Sequence, residues 1–299
     1  MDNFFYTYAD FVKKYADIAK QYENQGLQKN KNVLYIPKNT VVKDPLTVAD
    51  IDKCTIVLGA LSSAKVIDSQ ISLNSQERTR DIFVASNAQL VYVDDQHLEK
   101  TAQQESTVCL NVKKDSSVSY YAVHTGGLSV STTISCLLQE VGAEISVEGV
   151  SLLSEKQKNS FYTLQHHKQG QTTSRLQIKS CLAGAAHSFY KGSIIIDKKA
   201  KNADASQKNK VLLLSDQSKA ESIPCLEVLE SDVTCAHGSA IGYLNKDELY
   251  YLQSRGIEKK QAEKMLIRGF VKSFLQTIQD KTLKSFIYNR IEKKLQEMV

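Results

Sequence analysis

The chain has no tryptophan and only three prolines, which excludes long proline-rich linkers between rigid units. Asn-Gly and Asp-Gly pairs are absent, and without those turn dipeptides a meander of tight hairpins is disfavoured. No stretch approaches the ~18 consecutive apolar residues that a membrane span requires. The opening "MDNFFYTYADFVKKYADIAKQY" lacks a basic n-region and an apolar core, so it reads as neither signal peptide nor span. The expected location is the cytoplasm, with no membrane partner. The six cysteines, Cys54, Cys109, Cys136, Cys181, Cys225 and Cys235, include no C-x-x-C pair. In a reducing compartment each is by default a small buried hydrophobe, and a disulfide framework is not expected. Walker A, G-x-G-x-x-G, H-E-x-x-H and G-x-S-x-G signatures are all missing, so nothing marks the chain as an enzyme.

What is present is a soluble composition, 42% hydrophobic and 24% charged over 299 residues, enough for one large domain with attachments. The net charge of +5 is concentrated at one end: residues 245–299 carry twelve Lys/Arg against seven Asp/Glu, and the remainder is neutral. Such a segment suits an acidic protein partner or nucleic acid, or is simply a solvated helix face.

Three textures follow one another. Over residues 1–30, Phe4, Tyr8, Phe11, Val12, Tyr15, Ile18, Ala19 and Tyr22 recur at helical spacing, with Gly26 as a stop. Residues 31–240 carry short β-rich pieces such as "NVLYIP", "CTIVLGA", "NAQLVYVDD", "AEISVEGVSL" and "KVLLLS" between polar breaks. They predict a sandwich, a barrel or a solenoid, and the missing hairpin turns favour a stacked parallel solenoid. Residues 241–299 turn helical. Asn245 and Glu248 form a capping-box pattern and Gly256 ends the first helix. A second helix is expected over 258–279, with Ala262, Met265, Leu266, Phe270, Phe274, Leu275 and Ile278 on one face. A third is expected after Asp280, with Leu283, Phe286, Ile287, Ile291 and Leu295 facing inward.

The histidines carry little chemistry. His166 and His167 are adjacent, so in a strand their rings face opposite ways, and they read as surface loop residues. His124 and His187 stand alone and read as structural. The stretch "DVTCAHGSAIGYL" is different. On a strand, Cys235 and His237 project from one face, and thiolate with imidazole suits iron, copper or zinc. Two ligands fall short of the usual about four. Either another chain supplies the rest, or Cys235 is buried and His237 caps a turn at Gly238.

Residues 188–257 resemble the C-terminal core of the SufB/SufD family of iron–sulfur cluster assembly scaffolds. "FYKGSIIID" resembles the family's F-x-G-x-I-x-I strand, and "DASQKNKVLLLS" its A-x-Q-x-N-x-x-LLLS block. "PCLEVLESDVTCAHGSAIGYL" resembles P-x-LEI-x-x-DV-x-C-x-HGA-x-x-G, and "DELYYLQSRGI" the helical ending. The C-x-HG form is that of the SufD type.

The resemblance implies a mostly β fold with α: a right-handed parallel β-helix flanked by N-terminal and C-terminal helices. It implies a non-enzymatic scaffold of a SufB–SufC–SufD complex, with ATP hydrolysis placed in SufC. The SufC-type ATPase would dock on the C-terminal helices, with Leu249, Tyr250, Leu252, Arg255, Gly256, Met265, Leu266 and Phe270 as candidate contacts. A SufB-type subunit, or a second copy in a homodimer, would pair with the β-helix end. His237 and Cys235 match family positions at that interface, as ligands shared with the partner chain. No cofactor is then held by the chain alone, only a transient iron–sulfur cluster at the interface. Cys225 departs from the family's larger residue, as an added thiolate at the same edge or as a neutral core change. Two other classes stay open: a β-helix enzyme acting on polysaccharide, and a nucleic-acid-binding protein using the basic helices.

Overall fold

Ten-residue stretches in which every second side chain is buried, such as "SVSTTISCLL" over Ser129–Leu138, dominate the second hundred residues. That period of two is the signature of strands with one face in a core. The structure, a computed structural model, describes residues 14, 17–18, 20–22, 26–30, 32–49, 51–71 and 77–298. In chain order the strands are β1 (Gln28–Asn30), β2 (Val33–Ile36), β3 (Leu46–Ala49), β4 (Lys53–Leu58), β5 (Ser63–Gln70), β6 (Glu77–Val84), β7 (Gln89–Gln96) and β8 (Gln103–Val112). There follow β9 (Ser117–His124), β10 (Ser129–Leu138), β11 (Glu144–Leu153), β12 (Lys158–His167), β13 (Thr173–Leu182), β14 (His187–Ile196), β15 (Asp204–Leu213), β16 (Lys219–Val228) and β17 (Thr234–Tyr243).

From β2 onward the even strands form one parallel sheet and the odd strands from β3 another. The chain alternates between them, so each turn of the coil adds one strand to each sheet. Register partners lie about one coil apart in sequence: Ser129 beside Lys158, Lys158 beside His187. This is the expected parallel β-helix. β1 folds back antiparallel on β2 and covers the first edge of the even sheet.

The corners explain why hairpin dipeptides are missing. At the corner leading from the even to the odd sheet, every coil has a residue with positive φ: Asn39, Leu61, Asn87, Asp115, Gly142, Gln171 and Asn202, the last corner adding Lys199 as a second. Apart from Lys199, each donates its N–H to a carbonyl of the next coil, Asn87 to Lys114 at 2.9 Å and Gln171 to Lys201 at 2.8 Å, for instance. A left-handed residue turns the chain through the corner, and Asn, Asp or Gly tolerates that geometry best.

The interior is layered. In the early coils, Asp68 accepts from Arg78 at 2.7 Å and from Arg80 at 2.5 Å, and Arg78 donates to Asp94 at 2.8 Å. All four side chains are shielded from solvent. Burial alone would raise the Asp94 carboxyl, but Arg78, His124 and the Tyr120 hydroxyl hold it well below the usual range. A continuous apolar core runs on into the later coils through Ile134, Val147, Phe161, Leu176 and Ile178, interleaved there with buried uncharged polar side chains such as Asn159 and Gln165.

Three helices follow: α1 (Lys246–Ser254), α2 (Lys259–Thr277) and α3 (Lys281–Met298). α2 and α3 lie on the outer face of the odd sheet, where Ile267, Val271, Phe274, Ile287 and Ile291 pack against Val93, Tyr121, Val150 and Leu152. The Tyr121 hydroxyl donates to the Thr277 carbonyl at 3.0 Å, and the Lys294 ammonium donates to Gln157 Oε1 at 3.0 Å. The expected stripe of α3 is buried at Leu283, Ile287, Ile291 and Leu295. That of α2 is corrected: Ile267 and Val271 are buried beside Ala262 and Phe274, and Met265 is 46% exposed. The sheet, rather than a neighbouring helix, sets which line of α2 is covered.

Most of the expected N-terminal helix lies outside the described residues, Phe4, Tyr8, Phe11, Val12, Tyr15 and Ala19 among them. Tyr22 is buried, stacked on Tyr35 with ring centroids 5.6 Å apart. The surface-loop reading of the histidine pair is overturned. Both residues end β12, and their rings do face opposite ways. His166 turns out toward Asp197 at 3.0 Å, and His167 is enclosed between Thr172 at 2.8 Å and Ser174 at 2.7 Å. Burial pushes the His167 imidazole down to about 4.

Candidate interface at the open end of the β-helix

β16 and β17 are the last strands of their sheets. Among the described residues nothing pairs with their outer edges, and nothing covers the interior column that they terminate. The consequence is visible coil by coil. Ile196 and Val211 are buried, yet their register partners Val228 and Ile241 are 40% and 43% exposed. Leu213 is buried and its partner Tyr243 is 58% exposed. A solenoid end that exposes its core residues and two unpaired strand edges is unstable against association unless something caps it.

Cys235 and His237 belong to this exposed layer. β17 runs in unbroken register with β15, placing Cys235 over Ala205, His237 over Gln207 and Ser239 over Asn209. Ala205, Gln207 and Asn209 are all buried, so the three residues above them continue the inward column at the open end. The turn-capping reading of His237 fails because the strand continues through Gly238 to Tyr243. Cys235 is half-buried against the small apolar cluster of Ile194, Ile196, Ala200, Ala203 and Ala205. Burial, reinforced by Asp204, raises its thiol pKa, so ligation would require a metal ion to displace the proton. His237 is exposed.

Cys225 stands apart. It is exposed on β16, in register with Ser193, whereas Cys235 is on the other sheet. The core-change reading does not fit an exposed side chain. Among the described residues no group of three or more His, Cys, Asp or Glu side chains is arranged to hold a metal ion. Cys235 and His237 are thus two donors of an incomplete set.

The candidate docking residues lie just beyond. Asn245 caps α1, its side chain accepting from the N–H groups of Asp247 at 2.9 Å and Glu248 at 3.3 Å. Gly256 closes the helix with a φ of 86°. α1 buries none of its residues. Tyr250 is 74% exposed, Arg255 stacks over Tyr251, and Leu249 is half-buried. A shallow groove of about 410 Å³ between α1 and α2 is lined by Asp247, Glu248, Tyr251, Leu252 and Leu266. Phe270 is turned away from this groove: the Lys179 ammonium lies 4.8 Å from its ring centroid and donates to its carbonyl. Sequence reasoning did not single out Leu226, Val228, Ile241 and Tyr243. The alternation in "TCAHGSAIGY" carried the signal, but which coil is the last is a property of the fold.

Fold and site together define a parallel β-helix protein whose last turn is uncapped and carries a thiol and an imidazole on its inward column. The family model described as "SUF system FeS cluster assembly, SufBD core domain" matches residues 41–270, and the chain belongs to that family. The match extends well before residues 188–257, where the motifs are densest. Relatives include the iron–sulfur cluster assembly protein SufD of Plasmodium falciparum, 28% identical over 78% of this chain and 16% of its own length. SufD of Escherichia coli is 24% identical over 78% of this chain and 56% of its own length. An iron–sulfur cluster assembly SufBD family protein of Synechocystis is 24% identical over 82% and 59%. These relatives align the chain with the SufD type, and the match spans at most about three fifths of their lengths.

Among the described residues no helix is long and apolar enough to cross a membrane.

Proposed function

We propose that this protein is a SufD-type scaffold subunit in iron–sulfur cluster assembly. It pairs through the open end of its β-helix with a SufB-type subunit, or with a second copy of itself, and presents α1 and the adjoining part of α2 to a SufC-type ATPase. The uncapped last coil carries the proposal. It exposes Val228, Ile241 and Tyr243 as an apolar surface on the same last coil as Cys235 and His237, two donors of a set that another chain would complete. The cluster is cargo assembled between chains, and the protein itself turns over no substrate.

Two features support this reading over its alternatives. The acids Asp68 and Asp94 are locked to buried arginines and unavailable for general acid–base work on a sugar. Arg268, Arg290 and Lys294, three of the twelve cations of the basic segment, engage Glu292, Asp95 and Gln157 within the fold, which leaves less free basic surface for nucleic acid.

The test is a pull-down of the tagged chain against SufB-type and SufC-type proteins, using point variants. Deleting residues 245–299 would uncover Val93, Tyr121, Val150 and Leu152, so truncation confounds docking with unfolding. Ile241→Asp with Tyr243→Asp should lose the SufB-type subunit and keep the ATPase, and Tyr250→Glu with Met265→Glu should do the reverse. A wild-type chain that retains neither partner and does not self-associate overturns the assembly role.

A further inference from the structure

Directly beneath His237 in the inward column lies Gln207, its register partner on β15. Gln207 is 1% exposed; its amide nitrogen lies beside the Tyr190 hydroxyl, and its amide oxygen is buried without a hydrogen-bond partner. The next inward position on that strand, Asn209, donates to Ser222 Oγ at 3.1 Å and leaves its own Oδ1 without a partner. The layers below are apolar at the same column positions: Leu176 under Gln207 and Ile178 under Asn209. Three of the ten buried side-chain polar atoms without a partner among the described residues belong to these two amides, one rung under the open end. Buried amides without partners are costly and persist where something else uses them.

The interior is also shaped around this side chain. A Cβ on Gly192 would come within 2.1 Å of Gln207 Nε2 and 2.3 Å of the Tyr190 hydroxyl. The Tyr190 hydroxyl is itself bonded to Thr163 Oγ1 at 3.0 Å. Gly192 leaves the space that the amide occupies, with the amide near the hydroxyl but not paired to it in good geometry.

We propose that Gln207 is a positioning residue for His237. When one ring nitrogen of His237 serves as a ligand, the other carries its proton and needs an acceptor. Neighbouring strands lie about 4.8 Å apart, so stacked side chains in one column are within hydrogen-bond reach. Gln207 Oε1 accepts that N–H, fixing which nitrogen faces the metal and how the ring is turned. The inference rests on the reading of His237 as a ligand.

Cobalt(II) is a suitable probe, because a bound thiolate gives it a charge-transfer absorption and water can fill the coordination positions that a partner chain would otherwise supply. The full chain is titrated with cobalt(II) as wild type and as His237→Ala, Cys235→Ser, Gln207→Met and Gln207→Glu, with thermal melting in parallel. Gln207→Met should weaken cobalt binding by about 10- to 100-fold, as loss of a ligand's outer partner does. It should leave the melting temperature unchanged or higher, because an apolar isostere replaces unpartnered atoms. Gln207→Glu, which keeps an acceptor, should restore binding. If His237→Ala weakens binding but Gln207→Met does not, the positioning role is overturned and the ligand reading survives. If His237→Ala binds as wild type does, or the wild type binds no cobalt, the ligand reading itself fails and the inference fails with it.

Discussion

Arg290 on α3 holds Asp95 on β7 with two hydrogen bonds, Nε to Oδ1 at 2.9 Å and Nη2 to Oδ2 at 2.6 Å. The Asp95 side chain is fully enclosed. A bidentate pair of this kind fixes orientation as well as distance, and it ties the last helix to an early coil across 195 residues of chain. Arg290→Ala would leave a buried carboxylate without its cation, a loss of about 3–5 kcal/mol. Urea unfolding should show that drop, with faster amide exchange in α3. A change below about 1 kcal/mol, the range of exposed pairs, would mean that the helix is held by its apolar face alone.

Asp68 sits between Arg78 and Arg80. Asp68→Asn keeps the shape and removes the charge, leaving Arg80 without its carboxylate and Arg78 with Asp94 only. The expected cost is about 3–5 kcal/mol, read as a lowered denaturation midpoint. A near-neutral result would show that water enters these coils and solvates the guanidinium groups.

Glu148 lies beneath the C-terminal helices on the outer face of β11, with Oε2 buried and unpartnered. Burial pushes its carboxyl up to about 7, against the pull of Lys179 and Lys208. A carboxyl raised in the folded state binds a proton that the unfolded chain has already released, so its contribution to stability falls as pH rises from the unfolded value through about 7. Glu148→Gln should therefore be more stable than wild type at pH 8, with the difference shrinking toward pH 5. Parallel stability curves for the two proteins across that range would refute the assignment.

Leu61 occupies a corner position with a φ of 58° and is 60% exposed. At the same corner of the next coils stand Asn87 and Asp115, residues whose short polar side chains tolerate the left-handed region. Leu61→Asn should stabilise the fold by about 0.5–1 kcal/mol, seen as a higher urea midpoint. Destabilisation would indicate that the leucine makes contacts outweighing its backbone strain.

The strands that were legible are those whose apolar runs announce them, "CTIVLGA" and "NAQLVYVDD" among them. "ERTRDIFV", "QQESTVCLNV" and "KNSFYTLQHH" form β6, β8 and β12 and were not. Their inward positions include Arg78, Arg80, Gln104, Asn159 and Gln165, polar side chains that look like surface until the fold brings their partners to them. Arg78 meets Asp94 and Asn159 meets Ser151 only through the coil, and no local pattern encodes those pairings.

By itself the sequence determined the solenoid, the helical ending, the cap at Asn245 and the shared face of Cys235 and His237. Each depends on spacing along one segment, on turn chemistry or on a run of family motifs. Tertiary structure alone decided that β17 continues to Tyr243, that Cys225 faces away from Cys235, that Ile267 and Val271 rather than Met265 are the covered residues of α2, and that Gln207 lies under His237. An inward-facing residue has the same neighbours in sequence whether or not another coil covers it. Exposure at the end of a stack is set by which strand comes last.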